Sequence, residues 1–244
     1  MSTAKTILKL ENVSRDFEQA GQKVTALKKT NFSIKLGEFA AIIGPSGSGK
    51  STFLTIAGGL RNPSRGKITI RGTDITKLSS KKLSEVRFNE IGFILQASNL
   101  VPYLTVEKQL RLIDKVAGRN TKQSDLDTLL KELAIDDLRH KYPSDLSGGE
   151  RQRAAIAKVL YGKSKLILAD EPTASLDTTK AFEVVERLAH ETHQREKATI
   201  MVTHDERLLK YCDTVYEMRD GVLKKKQQNT PMVQITPRST NAQF

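Results

Sequence analysis

The sequence predicts an α/β fold around a mostly parallel sheet, and three observations predict it. A short apolar run, Phe39–Ile43, is followed by a glycine-rich loop and then by a segment suited to a helix. Apolar runs return at 166–169 and 199–203, with a long helical segment at 178–195 between them. Because strand–helix–strand order with buried apolar strands is typical of parallel pairing, these segments predict a parallel core sheet.

Other segments complete this prediction. We expect further extended segments at 7–13, 67–70 and 91–95, the last of which ends at Gln96, and another that begins at 24–27. From Thr105 the pattern becomes helical, with apolar residues on one face and Gly118 as the stop. Ser124 is expected to cap a second helix.

These segments divide the chain into one domain, 1–226, with a mostly helical insert at about 97–161. Residues 227–244 follow a run of three lysines and form a polar tail. The chain has 244 residues, which suits one large domain with an inserted part.

The bulk composition limits the classes of partner. The formal net charge of +12 favours an anionic partner, which is a nucleotide, a nucleic acid or the inner face of a membrane. No apolar stretch is long enough to span a bilayer, and the N-terminus has no pattern of a signal peptide. The single cysteine, Cys212, excludes an internal disulfide and fits a reducing cytosol.

The sequence GPSGSGKST predicts a phosphate-binding loop between the first apolar strand and its helix. Glycines let successive backbone N–H groups point at an anion, and the following helix directs its positive end to the same place. Lys50 is expected to reach the β- and γ-phosphates, and the Ser51 hydroxyl to bind Mg²⁺. The loop residues expected to contact the nucleotide are Gly44, Ser46, Gly47, Ser48, Gly49, Lys50, Ser51 and Thr52.

Two carboxylates, Asp170 and Glu171, follow the apolar strand at 166–169. A carboxylate at the edge of a core is costly unless it is paired or bound to a metal, and ligands bind at strand carboxyl ends in such sheets. Asp170 is therefore expected to hold the Mg²⁺, and Glu171 to polarise the attacking water as general base. The alternative is an acidic pair at the surface or at a helix cap.

The segment LSGGERQ predicts a second helix start that faces phosphate. Ser147 and Glu150 have the spacing of a capping box, which an ordinary helix start also explains. The pair Gly148 and Gly149 is a poor choice for a helix, but it leaves bare N–H groups for an anion. Since one nucleotide needs only one phosphate loop, this second helix start suggests a site completed by another subunit.

His204 lies just beyond the strand at 199–203. It is expected either to contact the γ-phosphate or to orient Glu171. The alternative is a polar residue that is merely hydrogen-bonded at a strand end.

Taken in order, these motifs resemble the nucleotide-binding domain of ABC ATPases over about residues 7–226. The resemblance implies a mostly parallel core sheet with an antiparallel β subdomain and an inserted helical subdomain. It also implies a head-to-tail dimer that holds two ATP molecules between the phosphate loop of one subunit and LSGGE of the other. The matching motifs are GPSGSGKST as Walker A, Gln96 as the Q-loop, LSGGERQ as the signature, LILADEP as Walker B, Ser175 to Asp177 as the D-loop and His204 as the switch histidine.

The resemblance carries further roles. It implies that Gln96 contacts Mg²⁺ together with Ser51 and Asp170, and that it lies near a membrane partner. It places Asp177 at the nucleotide and Phe17 where the family stacks an aromatic side chain on adenine. Phenylalanine in place of tyrosine is a departure that preserves stacking.

Within the family, the chain resembles the lipoprotein-release and macrolide-exporter type. The stretch from Gln96 to Leu104 further resembles the ATPase subunit of bacterial haem exporters. From Leu100 to Leu104 this loop is apolar, so it is either an exposed patch that awaits a partner or a segment packed under the helical insert.

We therefore expect an ATPase at the cytoplasmic face of the cell membrane. It would dimerise on ATP and drive a separate integral permease, of which two copies are expected, for export of haem or another hydrophobic or amphipathic cargo. The alternatives are a regulatory ABC ATPase that moves a membrane partner without transport and a nucleic-acid-associated ABC ATPase. We expect no nucleic acid partner, because zinc-type cysteine pairs, a coiled-coil insertion and a second cassette are absent from the sequence.

Overall fold

The computed structural model describes residues 5–19 and 21–226. In these ranges the strands are β1 (Thr6–Gln19), β2 (Gln22–Lys35), β3 (Phe39–Ile43), β4 (Arg65–Ile70), β5 (Thr73–Asp74), β6 (Ile91–Ile94), β7 (Leu166–Asp170), β8 (Ala198–Val202), β9 (Thr214–Arg219) and β10 (Val222–Lys226). The helices are α1 (Lys50–Ala57), α2 (Ser80–Glu90), α3 (Val106–Ala117), α4 (Gln123–Glu132), α5 (Gly148–Tyr161) and α6 (Thr178–Gln194). Short 3-10 turns lie at Asp136–Leu138, Pro143–Asp145 and Glu206–Tyr211.

A six-stranded sheet forms the centre of the fold, with the strand order β10-β9-β3-β8-β7-β6. The strands β9, β3, β8, β7 and β6 run parallel to one another, and only β10 at the edge is antiparallel. The parallel sheet predicted from the apolar runs is confirmed. Because parallel strands all end at the same edge, the loops after β3, β6, β7 and β8 meet there.

Both faces of this sheet are buried, because successive side chains of β3 enter two different cores. Phe39, Ala41 and Ile43 face a core shared with apolar residues of α3, α4, α5 and α6. Ala40 and Ile42 face the opposite core, which they share with α1 and with the second sheet. Burial on both faces explains why the sequence of β3 is uniformly apolar rather than alternating.

The second sheet has the order β2-β1-β4-β5 and is antiparallel throughout. The segments expected at 7–13, 24–27 and 67–70 all lie in it. Strand β1 is much longer than predicted, the stretch expected to begin at 24–27 continues to Lys35, and the hairpin of the two strands extends to Gln19 and Gln22. Polar residues such as Asp16 and Lys23 pair across this hairpin, so the apolar pattern gave no sign of its length.

The helical segment begins as the sequence predicts. Thr105 caps α3 by accepting a hydrogen bond from Lys108 N, and Gly118 ends the helix in a left-handed conformation. The prediction that Ser124 caps α4 is wrong, because α4 begins at Gln123 with Lys122 at its cap position. Ser124 lies in the first turn, where its backbone carbonyl accepts a hydrogen bond from Thr128.

The helix α2 was not predicted. It contains no fully buried residue, although Leu83 and Val86 pack partly against the second core. The division at 97–161 stays a prediction, and the predicted tail at 227–244 lies outside the described residues. Across the described ranges, none of the helices has the length and apolar content that crossing a membrane requires.

Candidate functional site

A cavity of about 460 Å³ opens at the carboxyl edge of the central sheet. The residues that line it come from the loop after β3, the ends of β7 and β8, the loop after β6, and β2. They are Ala26, Gly44, Ser46, Gly47, Gly49, Lys50, Ser51, Thr52, Gln96, Asp170, Glu171, Ala174, Val202 and His204. The fold therefore brings together most of the residues that the sequence pointed to. They come from four separate stretches of the chain, which are the loop after β3, Gln96, Asp170 with Glu171, and His204.

The loop after β3 needs glycine at two positions for steric reasons. Gly44 has φ 145°, and a Cβ atom there would lie 2.1 Å from the carbonyl oxygen of Met218. Gly49 has φ 107°, and a Cβ atom there would lie 2.4 Å from the carbonyl oxygen of Ala26. The loop is thus wedged between β2 and β9, and side chains at these positions would push it out of shape.

Gly49 is the N-cap residue of α1 and supplies no side chain to the first turn of the helix. The open N–H groups and the helix dipole together suit an anion. The Lys50 ammonium lies at the same place and donates to the carbonyl oxygens of Gly44 and Pro45, both at 2.8 Å. The buried Ser48 hydroxyl has no hydrogen-bond partner within the described ranges, so the loop retains unused polar capacity.

Two acidic residues and a histidine face this loop from the neighbouring strands. Asp170 ends β7, where it pairs with Val202 of β8. Glu171 follows with φ 49°, and its carboxylate Oε2 lies 2.9 Å from His204 Nδ1. The Glu171 side chain is 18% exposed and that of His204 is 74% exposed, so the pair lies at the cavity mouth with the imidazole on the solvent side.

The cavity also contains a donor set for a hard cation. Ser51, Gln96 and Asp170 line it together and offer a hydroxyl, an amide oxygen and a carboxylate. Oxygen donors of these types fit Mg²⁺, which retains several waters and binds through one or two carboxylates and substrate phosphates. In the described part of the chain, no group of three or more His, Cys, Asp and Glu side chains is arranged to hold a metal ion.

The residues Ser147, Gly148 and Gly149 lie outside this cavity. Ser147 caps α5 by accepting from Glu150 N, and the Glu150 carboxylate accepts from Ser147 N at 2.6 Å, which confirms the capping box. This backbone hydrogen bond from Ser147 lowers the pKa of Glu150. Ser147 and Gly148 are exposed, so the helix tip points to solvent beside Ser175.

Asp177 and Phe17 are also absent from the cavity lining. Asp177 caps α6 by accepting a hydrogen bond from Lys180 N at 3.0 Å. Phe17 lies on β1 opposite Val24, and the guanidinium groups of Arg15 and Arg61 lie over its ring.

The apolar loop predicted at Leu100 to Leu104 is packed at one residue and exposed at another, so each of the two alternatives describes part of it. Leu100 packs against the core beneath the helical segment, whereas Tyr103 is 77% exposed. Val101 is tied to the buried Gln109, which exchanges hydrogen bonds with its backbone N–H and carbonyl groups.

An apolar groove of about 390 Å³ lies beside this loop. Its walls include Leu60, Phe88, Phe93, Leu95, Asn99, Ile113 and Lys158. Leu60 and Phe88 are 44% and 43% exposed, which leaves large apolar side chains in water. Lys158 donates to the carbonyl oxygen of Asn99, and burial lowers its pKa. We call this feature the apolar groove.

Sequence reasoning missed several residues of the cavity. Ala26, Ala174 and Val202 contribute small or apolar surfaces that carry no chemical signature. Arg15 and Arg61 were missed because their relation to Phe17 depends on the length of the β1–β2 hairpin, which the sequence did not reveal.

A parallel sheet with a glycine loop, a cationic lysine and paired carboxylates at its carboxyl edge defines a P-loop nucleotide-binding protein. Comparisons with known proteins identify the family. The ABC transporter family profile matches residues 27–174. A protein of Staphylococcus saprophyticus that carries the name hemin import ATP-binding protein HrtA is 43% identical over 218 residues, which cover 88% of this chain and 98% of that protein. The protein of the same name from Staphylococcus epidermidis is 43% identical over 219 residues, 89% of this chain and 98% of that protein.

Two solved structures agree with the sequence relatives. One is the dimeric post-hydrolysis state of the ATP-binding cassette MJ0796 bound to ADP and Pi. It superposes with a TM-score of 0.83 at 32% identity and covers 91% of this chain and all of that one. Another dimeric structure of MJ0796, described as a bacterial ABC transporter cassette, has a TM-score of 0.84. The chain belongs to the ABC transporter family and is the ATP-binding, ATP-hydrolysing subunit of a transporter.

Proposed function

We propose that two copies of this chain close on ATP and thereby drive a separate integral permease that exports haem or a similar hydrophobic or amphipathic cargo. One observation carries this proposal. The phosphate loop, Gln96, Asp170, Glu171 and His204 share one cavity, while the Ser147 to Gly149 tip, exposed at Ser147 and Gly148, lies outside it. Most of the expected nucleotide contacts therefore line one cavity, whereas the three at the tip of α5 lie outside it.

The phosphates would bind on the loop after β3. The open N–H groups of the first turn of α1 and the Lys50 ammonium provide the positive charge. Lys50 would exchange its two carbonyl contacts for phosphate oxygens, which are stronger acceptors because they are charged. Loop residues Gly44, Ser46, Gly47, Ser48, Gly49 and Thr52 would surround the phosphates, and Phe17 would stack on the adenine.

Mg²⁺ would be held by Ser51, Gln96 and Asp170, whose donor types fit it. When bound, the ion neutralises charge on the β- and γ-phosphates. Asp170 is suited to this position because it ends β7, a strand that is buried on both sides, at the edge where the cavity opens.

Glu171 would accept the proton of the attacking water, and His204 would hold the carboxylate in position. The 2.9 Å contact between His204 Nδ1 and Glu171 Oε2 favours this orienting role over the alternative contact with the γ-phosphate. The His204 side chain is 74% exposed, so a phosphate or a second subunit can reach it.

The second copy would supply Ser147, Gly148 and Gly149 to the open side of the cavity, with Asp177 nearby. Ser175 and Leu176 lie against these glycines within one chain, so the segment that leads to Asp177 and the helix tip form one surface. Both related MJ0796 structures are described as dimers, which supports a paired arrangement here.

The apolar groove is the surface that we assign to the permease, at the cytoplasmic face of the membrane. Leu95 and Asn99 on its wall belong to the loop that carries Gln96, so a segment docked there would be linked directly to the cavity. The exposed Tyr103 extends the same contact region from Gln96 to Leu104. Docking would bury side chains that otherwise remain in water.

Haem is the cargo that the relatives favour, since both Staphylococcus proteins are named for hemin transport. Their names say import, whereas the resemblance to the macrolide-exporter type predicts export. Cargo contacts would belong to the permease.

A complementation experiment tests the paired site. In a head-to-tail pair, Lys50→Ala in one copy and Gly148→Asp in the other spoil the same composite site and leave the second site intact. Gly148→Asp suits the fold, because a Cβ atom there meets only Ser175 at 3.9 Å and an acid is favourable in a first turn. Its carboxylate would repel the triphosphate.

We expect each variant alone to be inactive and an equimolar mixture to regain a substantial fraction of the ATPase activity. The matched control mixes Lys50→Ala with Glu171→Gln. These two residues belong to the same cavity, so no intact site can form and no activity should return. Recovery in the control, or none in the test mixture, would contradict the arrangement.

A further inference from the structure

The aromatic ring of Phe17 is covered by two guanidinium groups. The Cζ atom of Arg15 lies 4.7 Å from the ring centroid, and that of Arg61 lies 5.2 Å from it. Both distances are within the roughly 6 Å over which a cation is attracted to an aromatic face. The ring is therefore already in use by cations before any planar ligand reaches it.

Phe17 lies close along the β1–β2 hairpin to a residue that lines the cavity. Phe17 pairs with Val24 on β2, and Ala26, two residues along the same strand, lines the cavity. The two positions on β2 are about 7 Å apart along the strand, so Phe17 lies near the cavity. A base that extends from phosphates in the cavity would approach this ring.

The two arginines are held very differently. Arg15 is partly buried on β1, and its Nη1 donates to the carbonyl oxygen of Asn62 at 3.0 Å. Arg61 follows α1, and its side chain is exposed. Within the described ranges, the guanidinium of Arg61 makes no hydrogen bond or ion pair, so the ring is its main attachment. Of the two, Arg61 is the group that can leave at small cost.

We propose that Arg61 is a gate on the base platform: its guanidinium covers the Phe17 ring in the nucleotide-free chain and is displaced when adenine stacks there. This inference rests on the proposed role of Phe17. Arg61 thus sets nucleotide affinity through the base and not through the phosphates. An exposed cation–π contact is worth about 0.5–1 kcal/mol, which is about two- to five-fold in an equilibrium constant.

Calorimetric titration of the full chain with ADP and with pyrophosphate tests the gate. ADP has a base and pyrophosphate has none, and neither carries a γ-phosphate that could be hydrolysed. We expect Arg61→Ala to bind ADP about two- to five-fold more tightly than the wild type, and pyrophosphate no more tightly. Arg65→Ala is the matched control, since it removes an exposed arginine near the same hairpin that does not cover the ring.

A double-mutant cycle with Phe17→Ala separates the gate from the platform. If the gate exists, Arg61→Ala gives no gain for ADP in the Phe17→Ala background. Phe17→Ala alone should weaken ADP about five-fold or more, as expected for a lost base–aromatic stack. Unchanged ADP affinity in Phe17→Ala would overturn the platform and the gate together. Weaker ADP binding in Phe17→Ala without a gain in Arg61→Ala, or weaker ADP binding in Arg61→Ala, would overturn the gate alone.

Discussion

Glu171 adopts a left-handed backbone conformation, with φ 49°, directly after the buried strand β7. A residue other than glycine in this region costs about 1 kcal/mol or more. Two contacts hold it there: its N–H donates to the carbonyl oxygen of Val202 at 3.0 Å, and its carboxylate meets His204. The backbone turn aims the carboxylate into the cavity.

Glu171→Gln preserves the size of this side chain and removes its ability to accept a proton. We expect the rate of ATP hydrolysis to fall by about 10²- to 10⁴-fold, the range of general-base catalysis, while ADP affinity changes little. The measurement is steady-state phosphate release alongside ADP titration.

Glu196→Gln is a matched control for this change. Glu196 also has φ 49°, but it is exposed and lies outside the cavity. It should hydrolyse ATP at the wild-type rate. Normal turnover in Glu171→Gln would contradict its assignment as the base.

Most of the charged and polar residues of the cavity could be predicted from the sequence, because a loop motif and a strand that ends in acidic residues are local patterns. Lys50, Asp170, Glu171 and His204 are of this kind. Ala26 in the cavity and Arg61 at the Phe17 ring could not be predicted, since their positions depend on how the β1–β2 hairpin packs beside α1. Long-range packing of this kind leaves no mark in a short stretch of sequence.

At the scale of the elements, a buried carboxylate joins α3 to α5. Asp114 accepts hydrogen bonds from the Tyr161 hydroxyl, from Thr121 Oγ1 at 2.8 Å and from Thr121 N at 3.1 Å. Arg111 and Arg119 lie within 3.7 Å of it. Burial alone would raise its pKa, but the hydrogen bonds from Tyr161 and Thr121 prevail and hold the pKa of Asp114 below its ordinary value of 3.8.

Asp114→Asn should lower the free energy of unfolding by about 2–3 kcal/mol at pH 7, because it removes a buried charge that two arginines and three donors face. Since the folded-state pKa is lowered, the stabilisation is present above the unfolded value of 3.8 and is lost as the pH falls through the folded-state value. Urea unfolding across this pH range measures it.

The expected sign is therefore a difference between wild type and Asp114→Asn that shrinks in acid. Asp125→Asn, on an exposed face of α4, is the control and should change stability by less than about 0.5 kcal/mol at either pH. A difference that stays constant with pH would indicate that Asp114 contributes through packing and not through its charge.

Helix prediction succeeded where an apolar stripe coincided with its caps. The helix α3 has both, with Thr105 before it and Gly118 after it. The helix α2 has neither a buried stripe nor a side chain that caps it, so its sequence carried no helical signal. The error at Ser124 arose because a good capping residue was given priority over the actual start one residue earlier.

At the scale of the whole molecule, the apolar groove and the cavity are linked by the loop after β6. Phe88→Asp would place a charge among the apolar walls of the groove. We expect it to abolish co-purification of the integral partner from membranes, while the isolated chain still hydrolyses ATP normally. Val24→Asp, at a side chain that is 44% exposed on the β1–β2 hairpin, should retain the partner. Loss of the partner in both variants would mean that docking does not depend on the groove.

The captured complex also yields the direction of transport. Reconstituted in vesicles with the ATPase outside, an exporter accumulates haem in the lumen when ATP is added. The Glu171→Gln complex supplies the blank for this assay, because it should retain the permease without hydrolysing ATP.

The strand order could not be predicted from the sequence. The runs at 39–43, 166–169 and 199–203 were all assigned to one parallel sheet, yet nothing in them indicates that β3 lies between β8 and β9. Order depends on which strand edges meet after the helices have packed, and uniformly apolar strands give no register signal. Fold class and site chemistry are therefore easier to predict than topology.

The position of β3 has a consequence for biosynthesis. Its neighbours on both sides, β8 and β9, begin at Ala198 and Thr214, so they leave the ribosome long after Phe39–Ile43 has emerged. Until then both edges of β3 are unpaired and both of its apolar faces are uncovered. Closing contacts over such sequence separations is slow and exposes the chain to aggregation. The nascent polypeptide therefore completes the centre of this sheet only after Thr214–Arg219 has been synthesised, and chaperones would be of most use to it until then.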